Sequence, residues 1–156
     1  HPLGRLLEPV RAPWAELAHT LPDLVEARAV PVDAAQAQQA LKAYAAAVAA
    51  VEAVMFDTPA RGDVATPVLL QTLSQRLQEA GVAAVPRSLL AQDDGNAPLR
   101  YAAQLLQSWP ARVAGPRPRR MYASLARTRL QAFAEGRVPQ ATPLRTLLRT
   151  WWAGRG

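Results

Sequence analysis

Apolar residues recur every three or four positions along most of the chain, which predicts helices rather than strands. The longest predicted helix covers about 34–56, and its recurring apolar positions are Leu41, Tyr44, Val48, Val51 and Met55. The next helix is predicted to begin at Thr66-Pro67 and to end at Gly81, with its apolar face formed by Leu69, Leu70, Leu73 and Leu77. The pattern therefore predicts an all-α protein.

Turn-forming residues separate these helices from several shorter ones. Asp33 and Gln36 have the spacing of a capping box at the start of the longest helix, and Asp57 and Asp63 are predicted to cap helices around the loop between them. Gly136 is predicted to close a late helix. The remaining helices are predicted over about 3–9, 13–20, 22–29, 86–91, 98–109, 119–135 and 143–152.

Composition supports one helical domain spanning residues 1–156. Half of the residues are hydrophobic, isoleucine is absent, and no apolar run reaches the length of a membrane span. With no cysteine, disulfide and thiolate chemistry are excluded. The chain begins with His1-Pro2 rather than methionine and has no signal pattern, so we expect a cytoplasmic protein whose natural start lies upstream.

The charge is concentrated in the last third of the chain. Residues 101–156 contain ten Lys and Arg against a single acid, Glu135, whereas residues 1–100 have eight against eleven. Such asymmetry favours an anionic partner, although a solvated arginine face explains it equally well. The candidate contacts to a membrane surface or a protein are Arg117, Arg119, Arg120, Arg145 and Arg149. No nucleic-acid-binding motif accompanies them, which makes a nucleic acid the less favoured partner.

Catalytic and metal-binding patterns are absent from the sequence. His1 and His19 stand far apart, and no HExxH spacing occurs. The adjacent acids Asp93 and Asp94 lie in a polar loop, where aspartate serves turn geometry. Neither a GxSxG nor a P-loop pattern occurs. We therefore predict no catalytic residue, no metal ligand and no cofactor within this chain.

The order of segments nevertheless resembles the squalene/phytoene synthase family. Similar segments are HPL at 1–3, LPDLVE at 21–26, YAAAVAAV at 44–51 with MF at 55–56, LLQTLS at 69–74, VPRSLL at 85–90, MY at 121–122 and LRTLLRTWW at 144–152. The resemblance runs over about 1–152 and depends on the order of the motifs. It implies the orthogonal helical bundle of the isoprenoid synthases, present in part, and a transferase of isoprenoid biosynthesis.

The chain departs from the family where that resemblance implies an aspartate-rich motif for Mg²⁺ and diphosphate. The matching stretch is QRLQEAG at 75–81, with Gln78 near the position of the first aspartate. Because a neutral amide holds Mg²⁺ less well than a carboxylate, the resemblance implies a degenerate active site and weak or lost prenyl transfer. It also implies a pocket for an isoprenoid diphosphate or another lipid, with candidate lining residues Tyr44, Gln71, Gln75 and Gln78.

The sequence leaves two alternatives open. One is an active prenyltransferase, requiring Mg²⁺, whose aspartate motif lies upstream. The other is a non-enzymatic helical interaction module that uses its basic C-terminal face, located in the cytoplasm or at the periphery of a membrane.

Overall fold

A computed structural model describes residues 12–27, 29–58, 62–92, 95–137, 148, 151 and 152. Over these residues the chain is helical and contains no strand, which confirms the all-α prediction. The helices are α1 (Trp14–Glu26), α2 (Ala34–Ala40), α3 (Lys42–Met55), α4 (Ala65–Ala80), a 3₁₀ turn (Gly81–Ala84), α5 (Arg87–Leu90), α6 (Ala97–Gln107) and α7 (Arg117–Ala134). The helices predicted over 3–9 and 143–152 lie outside the described residues, apart from Leu148, Trp151 and Trp152, which are helical.

Helix α4 is central to the packing and lies between α3 and α7. Helix α3 lies between α1 and α4, while α7 packs against both α4 and α6. The main core forms where α4, α6 and α7 meet, and its fully buried side chains include Leu70, Leu77, Tyr101, Leu105 and Leu130. The predicted apolar face of α4 is therefore confirmed as a core face, with Leu69 at its partly buried edge.

Alanines allow α3 to be covered on two sides. Ala45 and Ala49 are buried against Val68 of α4. Ala47 and Val51 are buried as well. They lie on the opposite side of α3, since each is two residues, or about 200° around the helix, from Ala45 and Ala49, respectively. Helix α1 contacts α3 as well. Small side chains thus let α3 pack closely with neighbours on two faces.

The predicted helix over 34–56 is interrupted at Leu41. The Leu41 amide donates to the carbonyl of Gln38, three residues back, instead of making the four-residue bond of an α-helix. Its side chain is fully buried. The tightened turn separates α2 from α3 at the residue whose side chain belongs to the main core.

A proline expected to separate two helices lies within one. The segments predicted at 13–20 and 22–29 form the single helix α1, which contains Pro22. Pro22 has no amide hydrogen to offer the carbonyl of Ala18. Both residues are on the exposed side of α1, where water can satisfy that carbonyl.

The capping predictions are confirmed in part. Asp33 Oδ1 accepts the amide of Gln36 at 2.7 Å, and Gln36 Oε1 accepts the amide of Val32 at 2.6 Å, one residue before the expected partner. Glycines end α4 and α7 as predicted, with φ of 55° at Gly81 and 64° at Gly136.

Helix α4 begins at Ala65, just before its predicted start at Thr66-Pro67, and Asp63 caps it as predicted. Asp63 Oδ1 accepts the amides of Ala65 and Thr66, at 3.2 and 2.9 Å, and Oδ2 accepts the Thr66 hydroxyl. The Thr66 hydroxyl holds the pKa of the Asp63 carboxyl below its usual 3.8, and the Thr66 amide adds to this effect. Asp63 is therefore an ionised cap at neutral pH.

Replacing Asp63 with alanine is expected to lower the free energy of unfolding by about 1 kcal/mol at neutral pH. Because the pKa is lower in the folded state, this contribution is present above 3.8 and is lost as the pH falls through the folded value. Urea unfolding at a series of pH values checks both points, with Glu79→Ala, an exposed acid in α4, as the control. A constant difference between native protein and D63A down to the lowest pH would contradict an ionised cap.

Candidate functional site

Three helices contribute polar side chains to a buried cluster centred on Arg119. Arg119, in the first turn of α7, is only 8% exposed. Its Nε donates to Glu52 Oε2 of α3 at 2.9 Å, its Nη2 pairs with Glu52 Oε1, and its Nη1 donates to Gln71 Oε1 of α4. The guanidinium thus binds the carboxylate through two parallel bonds, the strongest geometry of an Arg–Glu pair.

A small pocket lies beside this cluster. It is lined by Glu52 and Arg119 together with Ala49, Ala53, Thr58, Val64, Gly115 and Pro116. Gly115 has a φ of 103°, a conformation that favours glycine, and a Cβ there would touch the Arg119 side chain at 3.5 Å. The loop before α7 can therefore lie close to the arginine stem.

The four residues proposed from the sequence as pocket-lining do not line this pocket. Gln71, Gln75 and Gln78 share one face of α4, since they are spaced by four and three residues. Gln71 is half-buried and bonded to Arg119, whereas Gln75 and Gln78 are exposed. Tyr44 is half-buried on α3.

The predicted basic surface divides into one buried arginine and several exposed ones. Arg119 faces the core, where it pairs with Glu52 and donates a hydrogen bond to Gln71, so it is not part of the outer surface. Arg117, Arg127 and Arg129 are exposed, while Arg120 is half-buried and donates to the carbonyl of Gly115 at 3.1 Å. Arg145 and Arg149 lie outside the described residues.

Sequence reasoning missed the Glu52–Arg119 pair, although one signal was present. Glu52 is the single acidic residue of α3, in an otherwise largely apolar helix. Its partner is 67 positions away, and spacing within one helix contains no information about a contact over that distance.

Two aromatic side chains of the core, Tyr101 and Trp109, each bury a polar atom. Among the described residues, the hydroxyl of Tyr101 and the indole nitrogen of Trp109 have no hydrogen-bond partner. Burial raises the pKa of Tyr101 to about 12, although the positive charge of Arg76 acts in the opposite direction. Tyr101 therefore stays neutral at physiological pH.

The described part of the chain contains no cluster of three His, Asp or Glu side chains able to hold a metal ion. Within the same residues, none of the helices is both long and apolar enough to cross a membrane.

In comparisons with known proteins, no family model, curated protein or solved structure matches the chain.

Proposed function

We propose that this chain is a squalene/phytoene synthase-like helical domain that binds an isoprenoid diphosphate or another long-chain lipid, with prenyl transfer weak or lost. The observation that carries the proposal is the polar face at the end of α4. That face presents the amides of Gln75 and Gln78, and Gln71 on the same side is bonded to Arg119. The collinear motifs of the resemblance support the fold and the class of ligand.

The residues of α4 do not fit a Mg²⁺–diphosphate centre. Glu79, which is exposed, is the one acidic residue of the helix. Magnesium bound with diphosphate takes carboxylate ligands, and ionisation of an allylic diphosphate needs that charge to stabilise the leaving group. Neutral amides can donate hydrogen bonds to diphosphate oxygens but cannot supply the charge. Binding without turnover is the chemistry that these side chains support.

The test is incubation of the protein with farnesyl or geranylgeranyl diphosphate and Mg²⁺, followed by measurement of released diphosphate. We expect no release above background, together with measurable binding of the diphosphate by calorimetry. Robust release of diphosphate would overturn the proposal that prenyl transfer is weak or lost. Absence of binding would overturn the proposal that the ligand is an isoprenoid diphosphate.

A matched pair of double variants tests the role of the α4 amides. Q75A/Q78A is expected to weaken binding of farnesyl diphosphate about tenfold, since each lost neutral hydrogen bond contributes about 0.5–1.5 kcal/mol. Q104A/Q107A removes two exposed glutamines with the same spacing from α6 and should leave affinity unchanged. Equal effects of the two variants would show that the α4 face does not contact the ligand.

A second proposal is a non-enzymatic interaction module, and the exposed arginines of α7 favour it. Arg117, Arg127 and Arg129 project from a helix that contains no acidic residue between Arg117 and Ala134. An uncompensated positive surface of this kind attracts an anionic partner. This role is compatible with ligand binding at α4.

A further inference from the structure

The side-chain amide of Gln71 has its orientation set by Arg119. Arg119 Nη1 donates to Gln71 Oε1, and a guanidinium has hydrogen-bond donors only, so the oxygen is the end of the amide that must face it. Rotating the amide by half a turn would place its NH₂ group against the N–H groups of the arginine. Gln71 is therefore held with its amide nitrogen directed away from Arg119.

Arg119 is in turn held by Glu52. The Nε and Nη2 groups of the guanidinium are bound by the two carboxylate oxygens, which leaves Nη1 to reach α4. Because the carboxylate compensates the positive charge, the contact with Gln71 is an oriented hydrogen bond rather than an attraction to a free cation. A bond from a charged donor also polarises the amide, which strengthens its N–H groups as donors.

Gln71 lies where one side of α4 changes from buried to exposed. Nearer the start of the helix, Pro67 and Val68 lie within about 60° of Gln71 and are buried, whereas Gln75 and Gln78 on the same side are exposed. Within the described residues no group accepts a hydrogen bond from Gln71 Nε2, and this nitrogen is not among the buried polar atoms that lack a partner. Its two N–H groups are therefore accessible to a ligand on the face that bears Gln75 and Gln78.

We propose that Arg119 is a positioning residue of the α4 site, where it holds Gln71 as a hydrogen-bond donor and so selects the diphosphate end of the ligand. The inference rests on the proposed binding of an isoprenoid diphosphate and names what determines its specificity. A glutamine amide that is free to rotate can either donate or accept. Gln71 held by Arg119 offers donors alone, which match the oxygens of a diphosphate, since these are acceptors. A prenyl alcohol gains less from this arrangement, because its hydroxyl is also a donor.

The substitution Gln71→Glu tests the donor role of Gln71. It keeps an oxygen facing Arg119 and replaces the NH₂ group with a second carboxylate oxygen, so the bond to Arg119 is retained while the diphosphate is repelled. Q71E is expected to weaken binding of farnesyl diphosphate by about thirtyfold, because a hydrogen bond to a charged group is lost. Binding of farnesol should change little.

The control variant is Gln104→Glu, which adds the same charge at an exposed position of α6. Because exposed charges are screened by salt, Q104E should change the affinity for farnesyl diphosphate by less than about twofold. Retained helical circular dichroism establishes that each variant is folded. Equal effects of Q71E and Q104E would overturn the inference.

The double variant E52L/R119M tests the positioning role of Arg119. It removes the ion pair as a unit and leaves the Gln71 amide free to rotate. The ratio of the affinities for farnesyl diphosphate and farnesol should fall about two- to fivefold, because the donor orientation is then only partly populated. A merely structural role would lower both affinities by the same factor, so an unchanged ratio would overturn the inference.

Nuclear magnetic resonance gives a readout that does not require farnesol to bind. The side-chain NH₂ signals of Gln71 are assigned by their absence from Q71E. They should shift when farnesyl diphosphate is added to the native protein, and shift much less in E52L/R119M. Equal shifts in both proteins, or no shift in a native protein that binds the ligand, would overturn the inference while the proposed function stands. Absence of farnesyl diphosphate binding to the native protein would overturn both.

Discussion

Replacing Glu52 with alanine is expected to lower the free energy of unfolding by about 3 kcal/mol, a large fraction of the stability of a domain of this size. The variant leaves the guanidinium of Arg119 buried with only the neutral Gln71 amide as a described partner. A buried charge that loses its counter-ion keeps its desolvation cost. Since the Glu52 side chain is 20% exposed, the loss of stability should fall at the lower end of the range expected when one partner of a buried ion pair is removed. Urea unfolding monitored by circular dichroism measures it.

A double-mutant cycle separates the pair from its individual members. E52L/R119M replaces both charges with apolar groups, and it should be more stable than E52A, because no unpaired charge remains in the core. Glu79→Ala, at an exposed position of α4, should change stability by less than about 0.5 kcal/mol. If the losses in E52L and R119M simply add in the double variant, the two side chains do not stabilise the fold as a pair.

Replacing Leu77 with alanine is expected to cost about 3 kcal/mol, because the side chain is 0% exposed at the centre of the α4 core face. The loss combines the lost burial of three carbon atoms with the cavity that remains. Unfolding in urea should show a lower midpoint and an unchanged denaturant slope.

Leu21→Ala is the matched control for this substitution. Leu21 lies on α1 and is 49% exposed, so its truncation should cost well under 1 kcal/mol. A loss in L21A as large as that in L77A would mean that the outer face of α1 is covered in solution. The comparison therefore tests the main core and the exposure of α1 together.

Sequence periodicity predicted the helices well where one buried face controls a helix. Helix α4 is the clearest case, since the four leucines predicted on its apolar face are buried or partly buried and Gly81 ends it. The prediction failed to place the break at Leu41, because the apolar pattern continues through that residue without interruption. The local turn there involves a bond between Leu41 and Gln38 that the spacing of side chains does not encode.

Contacts between distant segments of the chain were the main limit on predicting the candidate site from the sequence. Gln71 was selected from the family resemblance as a pocket residue, and the structure shows that its side chain accepts a hydrogen bond from Arg119, 48 positions further along the chain. Arg119 was selected as a surface cation because five arginines occur between 117 and 129. Its burial depends on its pairing with Glu52 of α3, 67 positions earlier in the chain. Charge composition identified the basic region correctly but could not determine which of its arginines faces inward.

In α3 the small residues form the packed surface and the large ones are exposed. We therefore expect its small residues to tolerate substitution less than its large ones. Ala45 and Ala49 are nearly inaccessible against Val68, while the bulkier Met55 and Phe56 at the end of the helix are about half exposed. An extra methylene at either alanine would push α4 away, whereas a smaller residue at position 55 or 56 would remove little buried surface. Across a family of homologues, we therefore expect the two smallest of these side chains to vary least.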